Sequence, residues 1–243
     1  MASLWTVDTA IILAGGLGTR LRAVVPDLPK PMAPINGRPF MEHQLDYWIG
    51  QGITRFVLSV GYRADAIMGH FASQYKGAKI QYVVEEVPLG TGGGAVLAAG
   101  RLSREHPFLV LNGDTYFAVE LAELADFASE SNADWCFSLF RPTEAGRYMG
   151  MSVSEQGRIV ALRSEPGGPA NGGVYWVHPR ALVEGGFQAG TKASLEDDIL
   201  PAALASGRRL FGREFGGAFI DIGVPADYHR ASKLLGEVSE VNA

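Results

Sequence analysis

The chain has 243 residues, 47% of them hydrophobic, and a formal net charge of −5. That length can bury a sizeable core, and an acidic balance without a basic stripe excludes a surface built to hold nucleic acid. The single cysteine, Cys136, excludes an internal disulfide, and no apolar run reaches the length of a membrane span.

In chain order, a buried strand is predicted over 10–14, followed at once by Gly15-Gly16-Leu17-Gly18-Thr19-Arg20. Glycines let the backbone come close to a ligand, and Arg20 adds a rigid, forked donor set that suits phosphate. Pro29-Lys30-Pro31 then holds a second cation on a stiff segment. The spacing fits neither the dinucleotide fingerprint, because Thr19-Arg20 stands where its third glycine belongs, nor the P-loop, because no lysine follows Gly18. A glycine loop with an Arg and a Lys after it points to a nucleotide triphosphate. Helices predicted over 39–51, 64–75 and 91–102 alternate with strands over 55–60, 79–84 and 107–111. Such alternation means a mostly parallel sheet with helices on both faces, and ligands in such sheets gather outside the carboxyl ends of the strands. The glycine loop, the segment 85–94 and Asn112-Gly113-Asp114 each follow a strand, so they should converge on one edge.

The texture changes after Asp114. A helix over 120–131 leads to strands over 135–140, 150–153, 159–163 and 173–177, then a helix over 195–205, strands over 209–215 and 218–220, and a last helix over 225–235. No Pro-, Gly- or Ser-rich linker divides the chain. A single domain over 1–243 is expected, with a nucleotide-binding half over 9–115 and a second half over 116–235 that adds a lobe to the same sheet. Cys136 lies in an apolar run and reads as a core residue. His43, His70 and His106 show no metal-ligand spacing and read as helix or turn residues. Asp114 ends one strand and Asp221 another; each could cap a helix, and together they could hold one Mg²⁺.

Six segments stand in one order: LAGGLGTRL (13–21), PKP (29–31), PLGTGG (88–93), NGD (112–114), NGGVY (171–175) and DIG (221–223). In this the chain resembles the sugar-1-phosphate nucleotidylyltransferases over 10–228, and the branch that acts on D-glycero-α-D-manno-heptose 1-phosphate above all. The resemblance implies a Rossmann-like (GT-A-like) α/β fold with a sugar-binding sub-lobe, and transfer of GMP from GTP to that sugar phosphate with release of pyrophosphate. It implies Mg²⁺ on Asp114 and Asp221, with Arg20 and Lys30 neutralising phosphate charge. It places Leu13, Gly15, Gly16, Gly18, Thr19, Glu85, Pro88, Gly90, Thr91 and Asn112 around the nucleotide, and Tyr148, Gly150, Asn171 and Glu196 around the sugar. Its expected partners are a nucleoside triphosphate and a sugar 1-phosphate, without nucleic acid or membrane, in the cytoplasm, and with room for a homo-oligomer.

Two segments depart from that pattern. A methionine interrupts the expected Tyr-Gly pair in Arg147-Tyr148-Met149-Gly150, and Arg163-Ser164-Glu165-Pro166 lacks the lysine that would meet the sugar phosphate. Arg163 or Arg147 is the candidate substitute. The alternatives are an N-acetylmuramate-1-phosphate uridylyltransferase, a mannose- or glucose-1-phosphate enzyme, and a non-catalytic nucleotide-sugar sensor. A sensor would be expected to lose Arg20, Lys30 or an aspartate, whereas this chain keeps all of them. Glu85 could accept hydrogen bonds from guanine N1–H and N2–H, which uracil cannot offer as a pair. Glu196 could equally just open a helix with a favourable charge at its positive end.

Overall fold

The computed structural model describes residues 6–142, 148, 150–163, 167–183 and 186–241. Its first half reads β1 (Thr9–Ala14), the short hairpin β2 (Pro34–Ile35) and β3 (Arg38–Pro39), α1 (Phe40–Gly50), β4 (Arg55–Val60), α2 (Ala64–Phe71), β5 (Gln74–Tyr75), β6 (Ala78–Val84), α3 (Gly90–Ala99) and β7 (Phe108–Asn112). The second half continues with β8 (Thr115–Phe117), α4 (Leu121–Glu130), β9 (Trp135–Phe140), β10 (Ser152–Val153), β11 (Ile159–Ala161), β12 (Ala170–Val177), α5 (Pro179–Val183), α6 (Leu200–Ala205), β13 (Leu210–Glu214), β14 (Phe219–Asp221) and α7 (Pro225–Val241).

Eight strands form one sheet in the order β13-β9-β12-β7-β1-β4-β6-β5. The pairs β1–β4, β1–β7, β4–β6 and β9–β13 are parallel, while β12 runs antiparallel to both β7 and β9. A parallel sheet needs both faces covered, so its strands are apolar on both sides. In β1, Ala10, Ile12 and Ala14 face one core with Met41, Leu45, Ile67, Leu124 and Ala128 of α1, α2 and α4. Ile11 faces the other, with Ala95, Ala98, Leu182 and Leu200 of α3, α5 and α6. A third cluster packs Ala231 and Leu235 of α7 on Ile35, Phe40, Tyr116 and Ile220.

The helix expected over 64–75 ends at Phe71. Ala72 adopts φ 48°, outside the helical region, and Gln74–Tyr75 instead pairs with β6 as an antiparallel edge strand. Lys76 and Gly77, at φ 46° and 86°, make the reversal. The last helix runs to Val241 rather than stopping at 235. Strand β8, paired with β14, is too short to leave a periodic signal in the sequence. Cys136 is fully buried, as expected of a core residue, and burial pushes its thiol far above the usual range. Among the described residues, no helix is long and apolar enough to cross a membrane.

Candidate active site

The sheet brings the carboxyl ends of β1 and β7 side by side, because the two strands are parallel neighbours whose register pairs Leu13 with Asn112. Their loops, with those after β6, enclose a cavity of about 310 Å³. Of the residues expected around a nucleotide, Leu13, Gly15, Gly16, Gly18, Glu85, Pro88, Gly90, Thr91 and Asn112 line it, together with Lys30 and Asp114. The glycines have specific tasks. Gly113 passes so close to β1 that its N–H donates to the Leu13 carbonyl at 3.1 Å, and a Cβ there would sit 2.5 Å from that same oxygen. A Cβ on Gly15 would collide with the Glu85 carboxylate.

Lys30 stands in a single 3₁₀ turn, Lys30–Met32, held between prolines. Its ammonium lies 2.7 Å from Asp114 Oδ2, with the two side chains 12% and 33% exposed. The pair is therefore half-withdrawn from water, and its charges still meet the cavity. Asp221 comes beside Asp114 through the backbone: it pairs with Thr115 in the β8–β14 ladder, and the Ile222 N–H donates to the Asp114 carbonyl at 2.9 Å. Asp221 Oδ1 accepts from the Gly223 N–H at 2.6 Å. Among the described residues, no group of three His, Cys, Asp or Glu side chains converges as a metal cluster. The backbone thus brings together two aspartates whose carboxylates are hard oxygen donors of the kind Mg²⁺ takes when phosphate and water complete its shell.

Glu85 is already engaged. Ser59 Oγ donates to Oε1 at 2.9 Å, and the Leu89 N–H donates to Oε2 at 3.0 Å. The carboxylate thus ties the loop after β6 to β4. Gly90 adopts φ +74°, and a Cβ on it would meet the Ala193 carbonyl. That carbonyl accepts from Gly92 N–H at 2.9 Å and Gly93 N–H at 3.1 Å, clamping the start of α3 to the segment before α6. Thr91 completes the clamp: its hydroxyl donates to Glu196 Oε2 at 2.8 Å and accepts from the Leu195 N–H at 2.8 Å. The sequence pattern carried no sign of Ser59 or Ala193, because one sits in an ordinary strand and the other acts only through its backbone.

The residues expected around the sugar are more dispersed. The Asn171 amide donates to the buried Tyr175 hydroxyl, and its Oδ1 accepts from Gly173 N–H at 3.0 Å. Tyr148 packs edge-on against Phe140 and Phe219, at 5.1 and 5.5 Å between ring centres. Gly150 bridges Ala170. Arg163, a candidate for the missing lysine, pairs with Asp197 at 2.7 Å on an exposed surface. Arg147, Met149 and 164–166 lie outside the described residues. Thr19 and Arg20 are exposed on the turn beyond Gly18, and they, like Asp221, are not among the residues lining the cavity. His43 is buried, with Nε2 3.1 Å from the Ile35 carbonyl, and burial holds its pKa below the usual value.

The family model described as nucleotidyl transferase matches residues 9–237 of this chain. Two relatives, both D-glycero-alpha-D-manno-heptose 1-phosphate guanylyltransferases, are 39% identical over 229 residues (Aneurinibacillus thermoaerophilus) and 37% identical over 225 residues (Campylobacter jejuni). The alignments cover 93% of this chain and 97% of the first relative, and 90% and 96% for the second. The crystal structure of HddC from Yersinia pseudotuberculosis complexed with GMP-PN superposes with a TM-score of 0.80 at 30% identity, covering 93% of this chain and 99% of that one.

Proposed function

This chain belongs to the nucleotidyl transferase family, and on that premise we propose that it transfers GMP from GTP to a sugar 1-phosphate, D-glycero-α-D-manno-heptose 1-phosphate foremost, with release of pyrophosphate. The observation that carries the reading is the cavity at the strand ends, where the glycine loop and the Lys30–Asp114 pair face one space. The choice of base and sugar is supported by relatives of that name that match nearly end to end.

The chemistry follows from charge. A sugar 1-phosphate oxygen attacks the α-phosphorus in line, so two anions meet and a third leaves. The incoming phosphate is already an ionised nucleophile, and no general base or covalent intermediate is required. The chain contributes positive potential: the Lys30 ammonium, the backbone amides of the 15–18 loop, and the positive end of α3 at Gly90 and Thr91. Arg20, two residues beyond Gly18, adds a cation to the same loop. Asp114 and Asp221 would hold Mg²⁺, which when bound would neutralise phosphate charge. Glu85 holds the base pocket, and its oxygens, which accept from Ser59 Oγ and the Leu89 N–H, keep lone pairs for guanine N1–H and N2–H. Thr91 and Glu196 join the nucleotide wall to the sugar side.

Pyrophosphate release measured across a matrix of nucleoside triphosphates and sugar 1-phosphates tests this. The expected maximum is GTP with the heptose 1-phosphate. Equal efficiency with UTP or dTTP overturns the guanylyl assignment, preference for mannose 1-phosphate overturns the sugar, and binding without turnover for any pair returns the protein to the sensor class.

A further inference from the structure

Between β7 and β8 the chain makes a turn at Gly113 and Asp114, and each backbone bond that holds this turn runs to a different element. The Gly113 N–H reaches Leu13 of β1, and the Asp114 carbonyl accepts from Ile222 just past β14. The Asp114 carboxylate itself accepts from Lys30 Nζ at 2.7 Å and Thr115 Oγ1 at 3.3 Å, and a further side chain acts on the backbone of the turn. Gln44, on α1 and 2% exposed, donates through Nε2 to the Asn112 carbonyl at 2.8 Å and also to the Thr115 carbonyl. One amide group thus bridges the residues on either side of the turn.

The orientation of that amide is not free. Two carbonyl acceptors demand the NH₂ end, and turning the group over would set oxygen against oxygen. In the orientation that satisfies both, Gln44 Oε1 is left buried without a partner. A buried orphan acceptor is destabilising, and a methionine or leucine would fill the same space without it. Packing alone therefore does not account for glutamine at this position; the two bonds to the turn do. We propose that Gln44 is a positioning residue that holds Asp114 in place through the backbone on both sides of it. The inference rests on the reading of Asp114 as a group that meets the bound nucleotide and its metal. Gln44 is not itself among the residues lining the cavity; it acts on one of them, Asn112, through that residue's carbonyl.

The test uses Q44M, which keeps the volume and removes both donors, alongside Q44E, D114N and the double variant Q44M/D114N in the full-length protein. Two quantities are read: Mn²⁺ affinity in the presence of a non-hydrolysable GTP analogue, and kcat separately from the KM for GTP. Outer partners of metal-binding groups are worth about 10–100-fold in affinity or activity, so Q44M should lower Mn²⁺ affinity and kcat by at least tenfold with little change in the KM for GTP. The double variant should be no worse than D114N, because Gln44 has nothing left to position. Wild-type Mn²⁺ affinity and kcat in Q44M, or a further loss of either on adding Q44M to D114N, overturns the inference. Failure of both Q44M and Q44E to fold also overturns it, since the residue then serves stability. A D114N protein with undiminished activity and Mn²⁺ affinity overturns the reading of Asp114 itself, which separates the two failures.

Discussion

The two sides of the site are built in different ways. On the nucleotide side the groups facing the cavity are mostly backbone, presented by loops that leave parallel strands, with Lys30, Glu85 and Asp114 as the charged exceptions. On the sugar side most of the expected groups are side chains, and several are already bonded to other parts of the protein: Asn171 to Tyr175 and Gly173, Glu196 to Thr91, Arg163 to Asp197. Strand register places the first kind of group, because β1 and β7 cannot pair without bringing their loops together. The second kind is placed by hydrogen bonds that a ligand must join or displace. On the proposed reading, strand register sets the nucleotide side and side-chain hydrogen bonds set the sugar side.

The largest effect should come from Asp114→Asn. It removes the charge proposed to ligate Mg²⁺ and leaves the Lys30 ammonium, 12% exposed, without its partner charge. Turnover should fall by several kcal/mol of transition-state stabilisation while circular dichroism stays native. EDTA should likewise abolish wild-type turnover. Turnover that survives both would remove metal chemistry from the nucleotide side and weaken the contrast at its root.

Lys30→Ala comes next. Loss of one cation beside developing phosphate charge costs roughly 10²–10³ in kcat, and thermal stability should move little because the side chain contacts a carboxylate rather than the core. A variant that unfolds but keeps its activity per folded molecule would make the pair structural.

Gly15→Ala sharpens the comparison by testing backbone rather than charge. The added methyl has to displace the Glu85 carboxylate from Ser59 and Leu89. Overpacking of this kind costs about 1–3 kcal/mol, expected as a rise in the KM for GTP with the sugar KM unchanged. Equal rises in both would mean that the two sides are not separable.

The smallest effect belongs to Glu196→Gln. Thr91 can still donate to the amide oxygen, so what is lost is the strength of a charge-assisted bond, about 1 kcal/mol. It should appear in the sugar 1-phosphate KM and not in the KM for GTP. The reverse pattern would move Glu196 to the nucleotide side.

Much of the first side was legible along the chain. The runs that became β4 and β9 are mostly apolar, and the segments between them carry helical spacing, so a mostly parallel sheet and the gathering of its loops followed from local pattern. The glycines were legible for a related reason: a positive φ at Gly18 and Gly90, or a backbone approach such as Gly113 to Leu13, is a requirement that few other residues meet. Order of elements, sheet type and the position of the glycine loop are thus properties of short stretches, and the sequence by itself determined them.

Tertiary structure decided what each polar side chain does. Lys30 meets Asp114 across 84 positions of sequence, Thr91 meets Glu196 across 105, and Gln44 reaches the Asn112 carbonyl across 68. Asn171, expected to face a sugar, spends its amide within its own strand. The end of α2 was decided in the same way, where the chain after Phe71 reverses to pair with β6 instead of adding another helical turn. The physical reason is common to all of these. A buried donor or acceptor must find a partner, and which partner lies within about 3 Å depends on how distant segments pack, not on the neighbours that precede and follow it in the chain.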